Sequence, residues 1–301
     1  MKLRHIILTI FFALLFLTYP GDSTLLHTYA YHRELFRPTS SIDPIRIDPY
    51  PIVVAGAIDP TLSARSVFVV DRYTLTPVLE RAAHAKRYPA STTKIITALT
   101  AFDRLKPENI VTVKQARDEG QIMELVTGER ITFENLLYGT LVHSGNDAAL
   151  ALADHFDYDT FITMMNKKAQ ELHMDDTNFA NPSGLHDPAQ VSSAYDLAIA
   201  GRALLDNSYL SKIVSTKQIT VSDVEFRYFH PLSNVNQLLG EIPGVGGLKT
   251  GYTPEAGENL VTLYRRPDGY EMLIVILGSE DRFEDTRSLV NWINTYVQYV
   301  Q

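Results

Sequence analysis

The stretch Pro89-Ala90-Ser91-Thr92-Thr93-Lys94 is followed by apolar or small residues at Ile95, Ile96, Ala98, Leu99, Ala101 and Phe102. That pattern predicts a buried helix from Ser91 to about Leu105, ended by Pro107, with Ser91 in its first turn. Residues three apart share a helix face, so the Ser91 hydroxyl and the Lys94 ammonium are expected side by side. A lysine with a lowered pKa can take a serine proton and so create a nucleophile. Backbone N–H groups at the helix start can face a developing oxyanion. Ser-x-x-Lys alone also describes a helix start followed by a solvated lysine, so the remaining chain has to decide between the two.

With 301 residues, the chain has room for one large domain or two. An apolar fraction of 45% and a charged fraction of 21% are those of a globular protein with a sizeable core. The net charge is −8 and no Lys/Arg-rich block interrupts it, which argues against a nucleic-acid partner. The absence of cysteine excludes disulfides, thiol catalysis and Cys-ligated zinc. The nine histidines are scattered, with no His-Glu-x-x-His pattern, so neither a metal nor a cofactor is expected.

Lys2 and Arg4 precede an apolar run over 6–19, and no acidic residue appears before Asp22. This is a signal-peptide layout, shorter than the ~20 residues of a comfortable membrane span. Gly21-Asp22-Ser23 offers small residues for cleavage. Residues 1–23 therefore read as a signal peptide or an uncleaved N-terminal anchor with membrane contact, and either implies export. Residues 24–60, rich in Pro, Asp, Ser and Tyr and without periodicity, read as a linker or arm.

Beyond the arm, strands are expected over 66–70 and 73–79, and short strand-like pieces over 110–113 and 122–126. Thr132 is a candidate N-cap for a helix over 134–141. Gly145 breaks the helical run before a further helix, and an amphipathic helix covers 160–173. Residues 174–191 form a long loop containing Asn181-Pro182-Ser183-Gly184-Leu185, and such loops are often functional. Ser193 to Asp196 resembles a capping box before a helix to about Leu205. Strands over 219–224, 225–228 and 245–251, a hairpin of 259–265 with 271–277, and a closing helix over 283–300 complete the chain. Strands, a helical middle, strands and a closing helix suggest an antiparallel sheet with helices against it and a helical insertion.

Three short stretches occur in order: Ser91-Thr92-Thr93-Lys94, Ser144-Gly145-Asn146 and Lys249-Thr250-Gly251. Together with their flanks, from about Ser66 to Trp292, they resemble the low-molecular-mass penicillin-binding proteins, in particular the serine D-alanyl-D-alanine carboxypeptidase family. The resemblance implies an α+β, β-lactamase/transpeptidase-like fold. Its antiparallel sheet would be flanked by N- and C-terminal helices, in a domain over 61–301 with a helical insertion about 95–205. It also implies roles. Ser91 would be the nucleophile and Lys94 its general base, its pKa lowered by burial and by a second nearby cation, Lys249. Ser144 would relay a proton from Lys94 to the leaving amine, and Asn146 would bond the lysine and a substrate amide. Lys249 and Thr250 would bind the substrate carboxylate from an edge strand where Gly251 allows close approach. The N–H groups of Ser91 and Tyr252 would form the oxyanion hole. Arg282 matches an arginine of related sequences, but a surface salt bridge explains it as well.

The implied reaction removes the terminal D-alanine of a peptidoglycan stem peptide, with β-lactams as covalent inhibitors. Two other readings use the same residues: a DD-endopeptidase of cross-linked peptidoglycan, and a catalytically silent penicillin-binding or sensor domain. Two departures from class A β-lactamases bear on the choice. Gly145 stands where they usually carry Asp, and the loop over 174–191 lacks Glu-x-x-Leu-Asn. That motif supplies their deacylating base, so this sequence reads as a β-lactam target. Many relatives continue into a second, β-rich domain and a C-terminal anchor. The sequence here runs to Gln301, so any membrane attachment is expected at the N-terminus.

Overall fold

The computed structural model describes residues 2–17 and 49–300. The expected cleavage region, 21–23, and the first part of the expected arm, 24–48, lie outside the described residues. Helix α1 (Lys2–Leu17) belongs to a unit of its own. Among the described residues, no helix is long and apolar enough to cross a membrane.

The second unit is organised on five antiparallel strands. They are β2 (Ser66–Asp71), β3 (Pro77–Arg81), β8 (Val245–Thr253), β9 (Gly257–Arg265) and β10 (Glu271–Ser279), in the order β3-β2-β10-β9-β8. Side chains alternate across a strand, and here both faces are covered. Leu273, Val275 and Leu277 of β10, with Phe68 and Val70 of β2, face the helical side. Met272, Ile274 and Ile276, with Val67 and Val69, face Leu289, Trp292 and Ile293 of the closing helix. A central strand buried on both faces reads as a continuous apolar run, and Met272 to Leu277 is one.

The helical part lies between β3 and β8. It holds α2 (Lys94–Phe102), α3 (Phe133–Leu141), α4 (Asn146–Phe156), α5 (Tyr158–Glu171), α6 (Ala194–Asp206) and α7 (Ser208–Val214). Between and after these lie two small hairpins, β4 (Ile110–Thr112) with β5 (Arg130–Thr132), and β6 (Gln218–Ser222) with β7 (Phe229–Ser233). The predicted caps form: Thr132 accepts from Asn135 N, and Ser193 from Asp196 N. Helix α6 lies on the sheet against β2, β9 and β10.

Several elements differ from expectation. Ser91 sits in a 3₁₀ turn, Ala90–Thr93, that leads into α2 at Lys94. Residues 122–126 are irregular because Asp147 takes the N–H groups of Met123 and Leu125 that a strand would need. Residues 225–228 are the β6–β7 turn, since Asp223 accepts from the N–H groups of Arg227 and Tyr228. Helix α8 (Arg282–Tyr296) ends early, and β11 (Val297–Val300) comes after it. That strand pairs antiparallel with β1 (Tyr50–Val53), in a stretch the sequence assigned to the arm. The flank beside α8 is thus a strand pair where an N-terminal helix was expected.

Candidate active site

The 3₁₀ turn and the start of α2 set Ser91 and Lys94 on one side. Thr92 Oγ1 donates to Pro89 O at 2.6 Å and closes the turn from within. Ala90 takes a positive φ of 47°, and Ser144, which meets the same site, one of 65°. Non-glycine residues adopt this region at a cost, and such residues gather at functional sites.

Lys94 is fully buried, and its Nζ lies 2.9 Å from Ser91 Oγ and 2.7 Å from Asn146 Oδ1. It also donates to the carbonyl oxygen of Ser183. The orientation of the Asn146 amide is fixed from the other end, where Nδ2 donates to Glu119 O at 2.9 Å. Two of the three lysine partners are therefore oxygens that only accept. A neutral amine has two N–H donors and one lone pair. With both donors taken by Asn146 and Ser183, the lone pair is left facing the Ser91 hydroxyl.

Burial pushes the Lys94 pKa down to about 7, while the charge of Asp147 acts in the opposite direction. Lys249 is also fully enclosed. Burial first, and then the charges of Lys94 and Arg282, hold it well below its usual value. The sequence names burial and the Lys249 cation together as causes of a lowered Lys94 pKa; in the structure burial leads, and repulsion within the pair weighs on Lys249.

Lys249 Nζ donates to Ser144 Oγ at 2.8 Å and to Thr250 O at 2.9 Å. Among the described residues no hydrogen bond joins Ser144 to Lys94, and the Ser144 hydroxyl is held by Lys249. Thr250 is buried, and its hydroxyl makes no hydrogen bond to the described residues. Strand β8 is the sheet edge and packs against the Ser91 turn. A Cβ on Gly251 would stand 3.0 Å from both Pro89 O and Ser91 N, so only glycine admits this approach. Tyr252, the next residue, has an exposed side chain. The structure thus brings Ser91, Lys94 and Asn146 into one bonded group, and Ser144 and Lys249 into a second.

Sequence reasoning missed three contributors. The carbonyls of Ser183 and Glu119 act through the backbone, which residue type does not report. Their supports were visible, since Asn181-Pro182-Ser183-Gly184-Leu185 stood out in a long loop. There Asn181 Oδ1 accepts from Gly184 N at 2.8 Å, and Thr97 Oγ1 reaches Pro182 O at 2.6 Å. Gly184 has φ +85°, and a Cβ would lie 2.0 Å from Ala90 O, so the loop touches the nucleophile turn directly. The third is Arg282. It is buried, and its Nη1 donates to Gly251 O at 2.9 Å, so it braces the edge strand from behind. Its contact to Glu258, at 3.9 Å, is secondary.

Comparison with known proteins agrees with this geometry. A family model described as D-alanyl-D-alanine carboxypeptidase matches residues 54–281. The D-alanyl-D-alanine carboxypeptidase DacD of Escherichia coli K12 is 36% identical over 77% of the chain and 63% of its own length. DacF of Bacillus subtilis 168 is 32% identical over 72% and 57%. The chain therefore spans about three fifths of the length of these curated relatives. Among solved structures, the Streptomyces K15 DD-transpeptidase superposes with a TM-score of 0.74 at 29% identity, covering 78% of this chain and 98% of that one. The D-alanyl-D-alanine carboxypeptidase of Mycobacterium tuberculosis H37Rv gives 0.74 at 28% identity, over 82% and 95%.

Proposed function

Because the chain belongs to the D-alanyl-D-alanine carboxypeptidase family, we propose that it is a serine DD-carboxypeptidase that removes the terminal D-alanine from peptidoglycan stem peptides. The observation that carries this reading is the Lys94 amine: buried, its pKa lowered to about 7, and its free face toward Ser91 Oγ at 2.9 Å.

The neutral Lys94 amine takes the Ser91 proton as Oγ attacks the carbonyl carbon of the penultimate D-alanine. The oxyanion forms between the N–H groups of Ser91 and Tyr252, each worth about 3–4 kcal/mol in comparable sites. The substrate's terminal carboxylate lies against Lys249 and Thr250. Its charge raises the Lys249 pKa again, so that lysine is cationic when substrate is bound. The proton taken by Lys94 reaches the leaving D-alanine amine through Ser144, which gives its own proton and regains one from Lys94, and the C–N bond breaks. The again neutral Lys94 then draws a proton from the water that attacks the ester, and returns it to Ser91 Oγ as the acid departs. Asn146 holds Lys94 in place throughout. A β-lactam, whose strained amide stands in for the scissile bond, acylates the same Oγ.

The substrate lies outside the cytoplasmic membrane. The basic start and apolar run of α1 support export, either through a cleaved signal or with the segment kept as an anchor. Two measurements test the function. The protein should take one equivalent of a fluorescent penicillin, and Ser91→Ala should take none. It should also release D-alanine from a pentapeptide ending in D-Ala-D-Ala faster than it opens a cross-linked dimer. Labelling retained in Ser91→Ala overturns the nucleophile assignment, and a preference for the dimer makes the enzyme an endopeptidase.

A further inference from the structure

The buried Ser144 hydroxyl stands on a strained turn. Its residue has φ +65°, a region that non-glycine residues enter at a cost, and such a conformation lasts only where neighbours hold it from several sides. After Ser144 the hold is in the main chain: Gly145 N donates to Gly139 O at 2.8 Å, and Asn146 N to Gln121 O at 2.7 Å. Before it, His143 N donates to Tyr138 O at a longer 3.3 Å, and the half-buried His143 side chain adds what that bond lacks.

The His143 ring lies between two segments that are distant in sequence. Nδ1 accepts from the N–H of Ser233, the last residue of β7, at 3.4 Å. Nε2 lies 3.1 Å from Ile122 O and 2.9 Å from the side-chain amide of Gln121. These partners choose the tautomer. A backbone N–H only donates, so Nδ1 carries the lone pair. The ring hydrogen is then on Nε2, aimed at a carbonyl oxygen that only accepts. The Gln121 amide offers oxygen or nitrogen by a half-turn, and here the oxygen fits. Gln121 thus holds the turn at both ends, through its carbonyl at Asn146 and through its side chain at His143. From the β7 side, Val235 N adds a main-chain tie to Val142 O at 3.3 Å.

Among the described residues, His143 forms no hydrogen bond to Ser91, Lys94 or Lys249. Its two ring contacts bear instead on where the next residue, Ser144, sets its hydroxyl beside Lys249 Nζ, 2.8 Å away.

On the reading of Ser144 as the proton relay, we propose that His143 is a positioning residue for this hydroxyl, and that both ring nitrogens serve the step in which the C–N bond breaks. In that step Ser144 Oγ gives its proton to the departing nitrogen and regains one from Lys94. An amine leaves only when protonated, whereas the alkoxide of an ester departs with far less help. A displaced Ser144 therefore slows a peptide and spares an ester with the same acyl part.

The test compares two substrates that are alike up to the acylating D-alanine, one ending in D-Ala-D-Ala and the other in D-Ala-D-lactate. Both keep the terminal carboxylate, and kcat/KM reports the acylation step for each. His143→Phe keeps a ring and loses both nitrogens. It should lower kcat/KM roughly 10- to 100-fold for the peptide and less than about threefold for the ester. His143→Gln returns an N–H to the neighbourhood of Ile122 O and should recover most of the loss. If His143→Phe does not fold, His143→Asn, whose side chain is too short for Ile122 O, should show the same selectivity. Equal losses on the two substrates, or full peptide activity in His143→Phe, overturns the proposal. Ser144→Ala decides the premise. If it also slows both substrates alike, the relay reading fails. If Ser144→Ala is selective and the His143 variants are not, the relay stands and only the role of His143 falls.

Discussion

Asn146 Oδ1 stands 2.7 Å from Lys94 Nζ, while the Nδ2 of the same side chain is held by Glu119 O at 2.9 Å. The amide therefore presents a neutral acceptor to the lysine, and the loop before α3 prevents it from turning over. A carboxylate in the same place would be attracted to the ammonium and stabilise it. In Asn146→Asp, Lys94 should stay protonated to higher pH. Acylation by a penicillin at pH 7 should fall about 10- to 100-fold, with the acid limb of the rate profile moved upward. Asn146→Ala should slow the reaction without that displacement. Rapid-mixing acylation rates from pH 5 to 10 check both, and an unmoved limb in Asn146→Asp would remove the acceptor role.

The Lys94 pKa of about 7 also sets the wild-type profile. On the proposed mechanism the base is the neutral amine, so acylation should be half-maximal near that pH and lose about tenfold per unit well below it. Stability depends on the same group. Its folded pKa lies below the unfolded value of ~10.4, so between the two the unfolded chain binds more protons. This lysine therefore makes the fold more stable as pH rises from about 7 toward 10. Urea midpoints measured across that range should rise more steeply in wild type than in Lys94→Met. Parallel curves would mean that Lys94 is not titrating in the fold.

Much of the site was legible because its chemistry is carried by side chains at short spacings. Ser91 and Lys94 are three apart on one turn, Asn146 begins α4, and Lys249 to Gly251 lie within the strand β8, so local order placed each residue before any tertiary contact was known. The sheet was legible from Met272 to Leu277 for a similar reason, since burial on both faces leaves no polar position. What escaped depends on distant partners. Tyr50–Val53 becomes a strand only because Val297–Val300 lies beside it, and neither tetrapeptide announces the other. Ser183 and Glu119 contribute backbone oxygens, which any residue possesses. That Lys249 holds the Ser144 hydroxyl was not legible either, because spacing says nothing of the path taken by a side chain 105 residues away.

Gly251 offers a steric test of how β8 and the nucleophile turn are fitted together. A methyl group there would press on Pro89 O and Ser91 N, each 3.0 Å away. Both are backbone atoms and cannot turn aside, so the edge strand has to withdraw by a few tenths of an ångström. Misplacement on this scale costs about 10- to 100-fold in rate. Gly251→Ala should lower penicillin acylation by that amount while the melting temperature changes by only a few degrees. Full activity in the variant would show that the approach is not needed for reaction.

Away from the reacting atoms, His230 and Glu129 form a buried pair at 2.8 Å, with His230 Nδ1 also 2.8 Å from Met123 O. The pair closes the loop that carries Glu119 and Gln121 to Asn146. Burial acts to lower the His230 pKa, but the hydrogen bond and charge of Glu129 outweigh it and raise the value. The stabilisation is then full below the unfolded pKa of ~6.5 and is lost as pH rises through the folded value, opposite in sign to Lys94. His230→Ala would leave the buried Glu129 carboxylate with only the N–H of Val126 as a hydrogen-bond partner among the described residues. It should cost about 3 kcal/mol near pH 6, read from denaturant midpoints, and less at pH 9. A loss independent of pH would assign the effect to packing alone.

On the proposed function, the loop over 174–191 bears on the lifetime of the acyl-enzyme. It presents the carbonyl oxygen of Ser183 to Lys94 and no carboxylate. Of its three acids, Asp176 lies 3.2 Å from His84, Asp187 accepts from Ala189 N at 2.7 Å, and Asp175 is exposed. An ester at Ser91 is hydrolysed only when a base draws a proton from the attacking water. With a peptide substrate the departing D-alanine vacates the space beside Ser144 and Lys249, and water can enter there. With a penicillin the opened ring stays covalently attached and occupies that space, and the loop offers no second base on the other side. The adduct should therefore persist for minutes or longer at pH 7, measured as retention of a fluorescent penicillin after a chase with excess unlabelled drug. Turnover within seconds would mean that water reaches the ester by a route the loop does not close, and the protein would then act as a β-lactamase.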